Sequence, residues 1–434
     1  VQAKIKYQNR KDMALIYSQA PCVLAGTFTS NVVKAAPVLW DQKIVEQEPF
    51  AQAVIVNAGI ANACTGKEGF DLCERTARRA AEVLGIPERS VLVASTGVIG
   101  MQLPIDKIEA GVESLAGKKA GTLEAGTLAA EAIMTTDTIS KQAAARIMVG
   151  GTAVTIGGMS KGSGMIHPNM CTMLGFVTTD AVISKELLTK ALKEDVKDTF
   201  NMISVDGDTS TNDTLLLMAN GMAGNPEILD GTPEYEEFKS ALHYVNQSLA
   251  KMMAGDGEGA RALLEVKVEG ARTREEARIL SKSVVGSSLV KAAVYGHDAN
   301  WGRILCALGY SGVSFDPEKV DVYFVSSEGQ VQVCKNGMAA DYSEEEAAKI
   351  LSQPEVTVLA RLYEGSESAT AWDAASLRVP AVDLAYYDTE QERMVTVYSG
   401  NWSFETPLPQ KDIGWTMQID EEIGTLDGAV MTAG

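Results

Sequence analysis

An α/β fold of packed sheet and helix layers is what the sequence predicts. Short apolar, β-branched runs alternate along the chain with stretches of helical periodicity, and such mixing calls for sheets and helices stacked on one another. The composition can fill the interior: 46% of the 434 residues are apolar and 22% are charged, as in a globular chain. A chain of this length can bury one large core or several ordinary ones.

The β-rich runs predict strands at Val23–Thr27, Ala53–Asn57, Ser90–Ala94, Ala153–Ile156, Met173–Thr178 and Leu215–Met218. Further strands are expected at Leu263–Val268, Val320–Val325, Val331–Cys334 and Val356–Arg361. Helical spacing predicts Asp71–Leu84, Pro104–Leu115, Thr122–Met134, Lys185–Asp198, Glu234–Ala254, Arg274–Ser283 and Glu344–Leu351. Asp71 and Ser343 have the character of N-caps, and Ser343 with Glu346 has the spacing of a capping box. From Asp373 the texture changes: Pro380, Pro407 and Pro409 fall among aromatic and acidic residues, so a separate C-terminal segment is expected.

Charge narrows the function. Lys and Arg number 38 against 57 Asp and Glu, a net charge of 38 − 57 = −19. Nucleic acid is therefore excluded as the main partner, since phosphate binding needs a basic face. No run of about 18 apolar residues predicts a membrane span, and the polar start from Val1 to Arg10 does not read as a leader. The six cysteines (Cys22, Cys64, Cys73, Cys171, Cys306 and Cys334) are scattered, without the spacing of a zinc site or a disulfide framework. A reducing cytoplasm is the expected setting.

The chemistry concentrates in a few segments. The glycine-rich stretch Gly157–Gly164 leads to Cys171-Thr172 and then directly into an apolar run. It is no Walker A loop, because Lys161 precedes Gly162 rather than following a glycine and preceding Ser or Thr. It reads either as an ordinary loop or as a bendable approach to a self-cleavage site. Cleavage before Thr172 would put a free α-amine beside the Thr172 hydroxyl, the N-terminal form of nucleophile activation. Ser95-Thr96-Gly97 ends a predicted strand, where a hydroxyl and a glycine N–H can aim at one point as an oxyanion hole requires; the alternative is a plain turn.

Val205–Asp213 gathers side-chain oxygens but lacks the closing Glu of a calcium loop. In Gly255–Ala260 a lone carboxylate, Glu258, stands among glycines, either solvated or close to an ammonium group. His297 and Asp298 invite a triad, but chain neighbours seldom face each other.

Taken together, these segments resemble the ornithine acetyltransferases, the bifunctional glutamate N-acetyltransferase/amino-acid acetyltransferase family of arginine biosynthesis. The resemblance begins at Arg10–Leu15, Ala25–Asn31 and Val33–Val38, and continues through Asn57–Gly66, Ser95–Gly100 and Met134–Thr138. Lys161–Asp180, Asp206–Asn212, Gly255–Ala260, Asp298–Arg303 and Ser368–Trp372 complete it.

It implies a layered α/β sandwich like that of the N-terminal-nucleophile hydrolases, with different connectivity. It implies self-cleavage between Cys171 and Thr172 into an α chain (1–171) and a β chain, matched over 172–372 and followed by a divergent segment, 373–434. The two chains would assemble as α2β2. Thr172 would be the nucleophile, Thr96 and Gly97 the oxyanion hole, and Thr135, Lys161, Thr172 and Glu258 the substrate site.

The implied reaction moves acetyl from N2-acetylornithine to glutamate without metal or bound cofactor, with acetyl-CoA as a donor in bifunctional members. Two departures accompany the resemblance. The residue before the scissile bond, often Ala in the family, is Cys171, either a small residue in the same space or a rival nucleophile. After Trp372 nothing matches the family's Asn-containing terminus, so Asn401 takes no role and impaired transfer is one expectation. An N-terminal-nucleophile amidase or aminopeptidase is the rival enzyme class.

Overall fold

The computed structural model describes residues 1–164, 173–205, 209–257 and 259–375, together with the strand segments 382–388, 393–397 and 429–433. The first sheet has seven strands: β1 (Met13–Phe28), β2 (Ala51–Ile60), β3 (Val91–Val98), β4 (Lys141–Val149), β5 (Thr152–Lys161), β6 (Leu174–Thr179) and β7 (Thr214–Ala219). Their spatial order is β3-β2-β1-β7-β6-β5-β4.

β1 is central because it works twice. Met13–Tyr17 pairs antiparallel with β2, and Val23–Phe28 pairs antiparallel with β7. The β2 register shifts between Tyr17 and Cys22, where Pro21 has no N–H to give the ladder. The expected strand Val23–Thr27 is the β7-facing half of this longer element.

Both faces of the first sheet are covered, and β7 shows why its sequence is a continuous apolar run. Leu215, Leu217 and Ala219 enter the core shared with the helices Lys185–Asp195 and Pro233–Gly255. The alternate residues Leu216 and Met218 enter the opposite core, beside the helices Ala36–Gln47, Gly66–Leu84 and Ile105–Lys118. Period-two alternation between two apolar layers leaves no polar face to mark the strand.

The second sheet contains β8 (Ala262–Ala271), β9 (Asp321–Ser326), β10 (Gly329–Lys335), β11 (Met338–Ala339), β12 (Glu355–Arg361) and β13 (Glu367–Ala375), in the order β11-β10-β9-β12-β8-β13. The helix Pro233–Gly255 shares one core with residues of both sheets, among them Ile156 of β5 and Val266 of β8. The helix Arg274–Val285 covers β8 and β13. The expected α/β layering is thus the observed one. β14 (Val382–Asp388), β15 (Arg393–Val397) and β16 (Ala429–Ala433) pair among themselves in the order β15-β14-β16.

Ser343 caps the helix Glu344–Leu351 as expected, accepting from the Glu346 N–H at 3.2 Å. Asp71 does not begin its helix, which starts five residues earlier at Gly66. β13 carries the second sheet past the change of texture at Asp373, and Asp373, Ala374 and Ala375 are fully buried. The helices Ala36–Gln47, Ser288–Tyr295 and Trp301–Gly309 were not expected from periodicity. No helix among the described residues is long and apolar enough to cross a membrane.

One partly exposed ion pair between the helices Lys185–Asp195 and Pro233–Gly255 makes stability depend on pH. His243 Nδ1 lies 2.7 Å from Asp195 Oδ1, and that hydrogen bond raises the imidazole above its ordinary value against the opposing effect of burial. A raised folded value gives stability that is complete below the unfolded value of about 6.5 and lost as pH rises through the folded value. His243→Gln should therefore lower the melting temperature more at pH 6 than at pH 9. Equal losses in melts at the two pH values would refute this linkage.

Candidate active site

The site forms where β2, β3 and β5 end together. Parallel pairing of β2 with β3 sets Gly59 opposite Gly97, both at positive φ (113° and 131°). A Cβ on Gly97 would sit 2.2 Å from the Gly59 carbonyl carbon, so only glycine permits the approach. At the end of β3 Thr96 is buried while Gly97 to Gly100 are exposed, so the strand opens towards solvent from Gly97 onward as it turns.

Polar side chains hold this turn from behind. The Ser95 hydroxyl donates to Asn57 Oδ1 at 2.6 Å, and Asn57 Nδ2 donates to the Ile60 carbonyl at 2.9 Å. Asn212 Nδ2 donates to the carbonyls of both Ser95 and Ala61 at 2.7 Å. Asn212 therefore joins the end of β3 to the loop before β7.

β5 delivers Lys161 to the same point. Its side chain is buried, and its Nζ donates to Thr96 Oγ1 at 3.4 Å. Burial pushes this ammonium below the ordinary lysine value, the nearby Asp137 carboxylate pushes it back up, and Lys141 pushes it down again. Lys161 is also the register partner of Leu174 on β6. The chain leaving Lys161 and the chain arriving at Leu174 are thus clamped side by side.

Between them, Cys171 and Thr172 lie outside the described residues. The next residue, Met173, donates its N–H to Asp213 Oδ1 at 3.0 Å. Asp213 is fully buried, and its Oδ2 has no partner among the described residues. Burial pushes this carboxyl well above the usual range, against the Met173 N–H and the charge of Lys161.

Thr135 is half-buried and reaches the site through an intermediary. Its N–H donates to Asp137 Oδ2 at 3.0 Å, while Asp137 Oδ1 accepts the Gly162 N–H at 2.6 Å. Arg10 Nη1 donates to the Thr135 carbonyl at 3.0 Å. Glu258 lies outside the described residues.

Of the residues expected from sequence, Thr96, Gly97 and Lys161 come together directly, and Thr135 joins them through Asp137. Sequence reasoning passed over Asp137, Asn212 and Asp213 as site residues. All three stand inside motif blocks, but their signal, burial beside an unpaired backbone group, exists only in the fold. His297 and Asp298 form no triad: both are exposed in the turn before the helix Trp301–Gly309, whose cap is Asn300. The loop 206–208 is outside the described residues, and no metal-holding cluster occurs among those described.

A buried threonine and lysine, with an exposed glycine at converging strand ends, supply the kinds of group that acyl-transfer chemistry uses, within an α/β fold. Comparison with known proteins gives the family. The ArgJ family model matches residues 1–376. The arginine biosynthesis bifunctional protein ArgJ of Thermotoga neapolitana is 48% identical over 373 residues, 86% of this chain and 93% of that protein. ArgJ 1 of Clostridium acetobutylicum is 52% identical over 375 residues, 86% of this chain and 90% of that protein. A solved structure of ornithine acetyltransferase complexed with ornithine, from Mycobacterium tuberculosis, is 37% identical and covers 40% of this chain and 90% of its own, with a TM-score of 0.34. The chain therefore belongs to the ArgJ family and is an arginine biosynthesis enzyme. Residues 377–434 lie outside the family match.

Proposed function

We propose that this chain cuts itself between Cys171 and Thr172 and then carries acetyl from N2-acetylornithine to glutamate through an acetyl-Thr172 enzyme. The observation that carries this reading is the clamp around the junction. Lys161 and Leu174 are register partners, Lys161 Nζ reaches Thr96 Oγ1, and Met173 is fastened to Asp213.

The chemistry then runs in two halves. The Thr172 α-amine, ordinarily near pKa ~7.7–8.0, takes the proton of the Thr172 hydroxyl as Oγ bonds to the acetyl carbonyl carbon. The tetrahedral oxygen gathers charge against the Thr96 hydroxyl and the Gly97 N–H. The bond to the ornithine nitrogen breaks, that nitrogen takes the proton, and an acetyl ester remains on Thr172. The glutamate α-amine attacks this ester by the same route, leaving N-acetylglutamate and a free Thr172 hydroxyl. Two half-reactions through one covalent intermediate are ping-pong kinetics.

Thr135, Lys161 and Glu258 would hold the substrate, with the Lys161 ammonium suited to a carboxylate. The cut chains, 1–171 and 172–434, would stay together in an α2β2 assembly, in the cytoplasm.

Intact-mass measurement on purified protein tests the cut, and product analysis with and without glutamate tests the transfer. The expected result is a β fragment starting at Thr172 and N-acetylglutamate formed in step with ornithine. A folded but uncut chain, or a fragment starting at Cys171, would overturn the nucleophile assignment. Acetate released regardless of glutamate would make the enzyme a hydrolase.

A further inference from the structure

Three charged side chains buried beside the site take no part in the chemistry above. Lys141, on the edge strand β4, is fully buried, and its Nζ donates to Asp137 Oδ1 at 2.8 Å and to Asp256 Oδ2 at 2.5 Å. A third bond goes to the Ile139 carbonyl at 3.2 Å. Three donors thus meet three acceptors, which is full satisfaction for an ammonium group.

The two carboxylates reach outward from this knot. Asp137 accepts the N–H groups of Thr135 and Gly162, the latter the residue after Lys161. Asp256 accepts the Thr138 N–H at 3.0 Å and is also bonded to the Thr138 hydroxyl. Asp256 stands two residues before Glu258 in the chain. One lysine therefore ties together the backbone beneath Thr135, the backbone beside Lys161 and the approach to Glu258. It also ties residues before the proposed cut to a residue after it.

Charge makes the same connection. Lys141 and Lys161 are two buried cations, and Asp137 and Asp256 are two buried carboxylates. Burial alone would raise Asp137, but the fields of Lys161 and Lys141 and the Thr135 N–H hold it below the usual carboxylate range. The charged groups acting on Lys161 are Asp137, Lys141, Asp213 and Arg10. Lys161 already exerts the largest field of any charge on Asp137, and among the described residues only Lys141 shares that carboxylate with it, so loss of Lys141 would draw the Lys161 ammonium from Thr96 towards Asp137.

We propose that Lys141 is a positioning residue of the acetyl-transfer site: by joining Asp137 to Asp256 it holds the Thr135 and Lys161 segments against the end of the helix Pro233–Gly255 and keeps the Lys161 ammonium at Thr96. This rests on the reading that Thr135 and Lys161 line the site. Wild-type protein separates the two ideas, since its failure to convert N2-acetylornithine and glutamate would sink that reading whatever Lys141 does.

The test compares wild type with K141M, K141R and the charge-balanced double variant K141M/D256N, each as the full self-processed chain. Steady-state kinetics with N2-acetylornithine and glutamate are followed across pH. Misplacement of binding groups by about 1 Å can cost ~10²-fold, so K141M should lose roughly 10- to 100-fold in kcat/KM, mostly through KM. Loss of a cation also favours the protonated amines nearby, so the acidic limb of its kcat/KM profile should move to higher pH. K141R should keep the limb in place. K141M/D256N should return the limb towards wild type while KM stays raised, because charge is rebalanced but the tie is gone.

A role in stability alone would lower the melting temperature and move neither KM nor the limb, and that result overturns the proposal. Wild-type KM in a folded, cut K141M/D256N overturns it as well. Failure of all three variants to fold assigns the knot to folding and overturns it too.

Discussion

Thr172→Ala should leave the chain as one uncut polypeptide and abolish acetyl transfer. Two functions fail together because the same hydroxyl is proposed to open the peptide bond before it and to carry the acetyl group afterwards. Loss of a nucleophile from a set of groups acting as a unit typically costs ~10⁶-fold in kcat, so turnover should fall below detection. The rest of the site does not depend on this hydroxyl: Met173 is held by Asp213, and Lys161 by its pairing with Leu174. The uncut variant should therefore melt within a few degrees of wild type. Intact mass and ornithine release are the readouts. A T172A chain that still cuts, with a fragment beginning at Cys171, would transfer the role to the cysteine. Thr172→Ser keeps a hydroxyl and should retain both cutting and transfer at reduced rates.

Gly97→Ala should lower both stability and activity. The added Cβ meets the Gly59 carbonyl carbon at 2.2 Å and oxygen at 2.4 Å, and the φ of 131° is strained for any residue with a Cβ. Overpacking and backbone strain each cost about 1–3 kcal/mol, so a loss of about 2–6 kcal/mol is expected. The turn cannot yield without shifting Thr96, and misplacing an oxyanion donor costs ~10²–10³ in kcat. Gly100→Ala is the matched control for strain without a clash: its φ is 76°, but an added Cβ meets nothing within 4 Å. It should cost about 1–3 kcal/mol from backbone strain alone and little activity. Thermal melts and kcat on N2-acetylornithine compare the two, and equal effects would refute the packing argument.

Where sequence reading succeeded, local physics agreed with the fold. Ser343 caps its helix because a hydroxyl immediately before an acidic first turn is the local solution for the free N–H groups. β6 and β7 are legible as apolar runs because both their faces are buried. Where it failed, pairing overrode local preference. β4 opens Lys141-Gln142-Ala143-Ala144-Ala145-Arg146, a helix-forming composition, yet it pairs with β5 along its length. β13 is alanine-rich too and becomes a strand because β8 offers an open edge. The helix Ala36–Gln47 lacks a side-chain cap and has only a weak apolar stripe, so neither signal marks it.

By itself the sequence determined the α/β class, the acidic character that sets nucleic acid aside, and the family, since ordered motifs survive as strings of residues. It also singled out Thr96 and Gly97, as a hydroxyl and a glycine just after a predicted strand, and Lys161 through the family resemblance. Only the tertiary structure decided which buried charges serve them. Asp137, Lys141, Asp213 and Asp256 are ordinary charged residues in a linear reading. They acquire meaning when burial removes water and leaves each one a single set of partners, contributed by segments as far apart as β4 and the end of the helix Pro233–Gly255. A charge in low dielectric must be paired, and which charge pairs with which is a property of the fold.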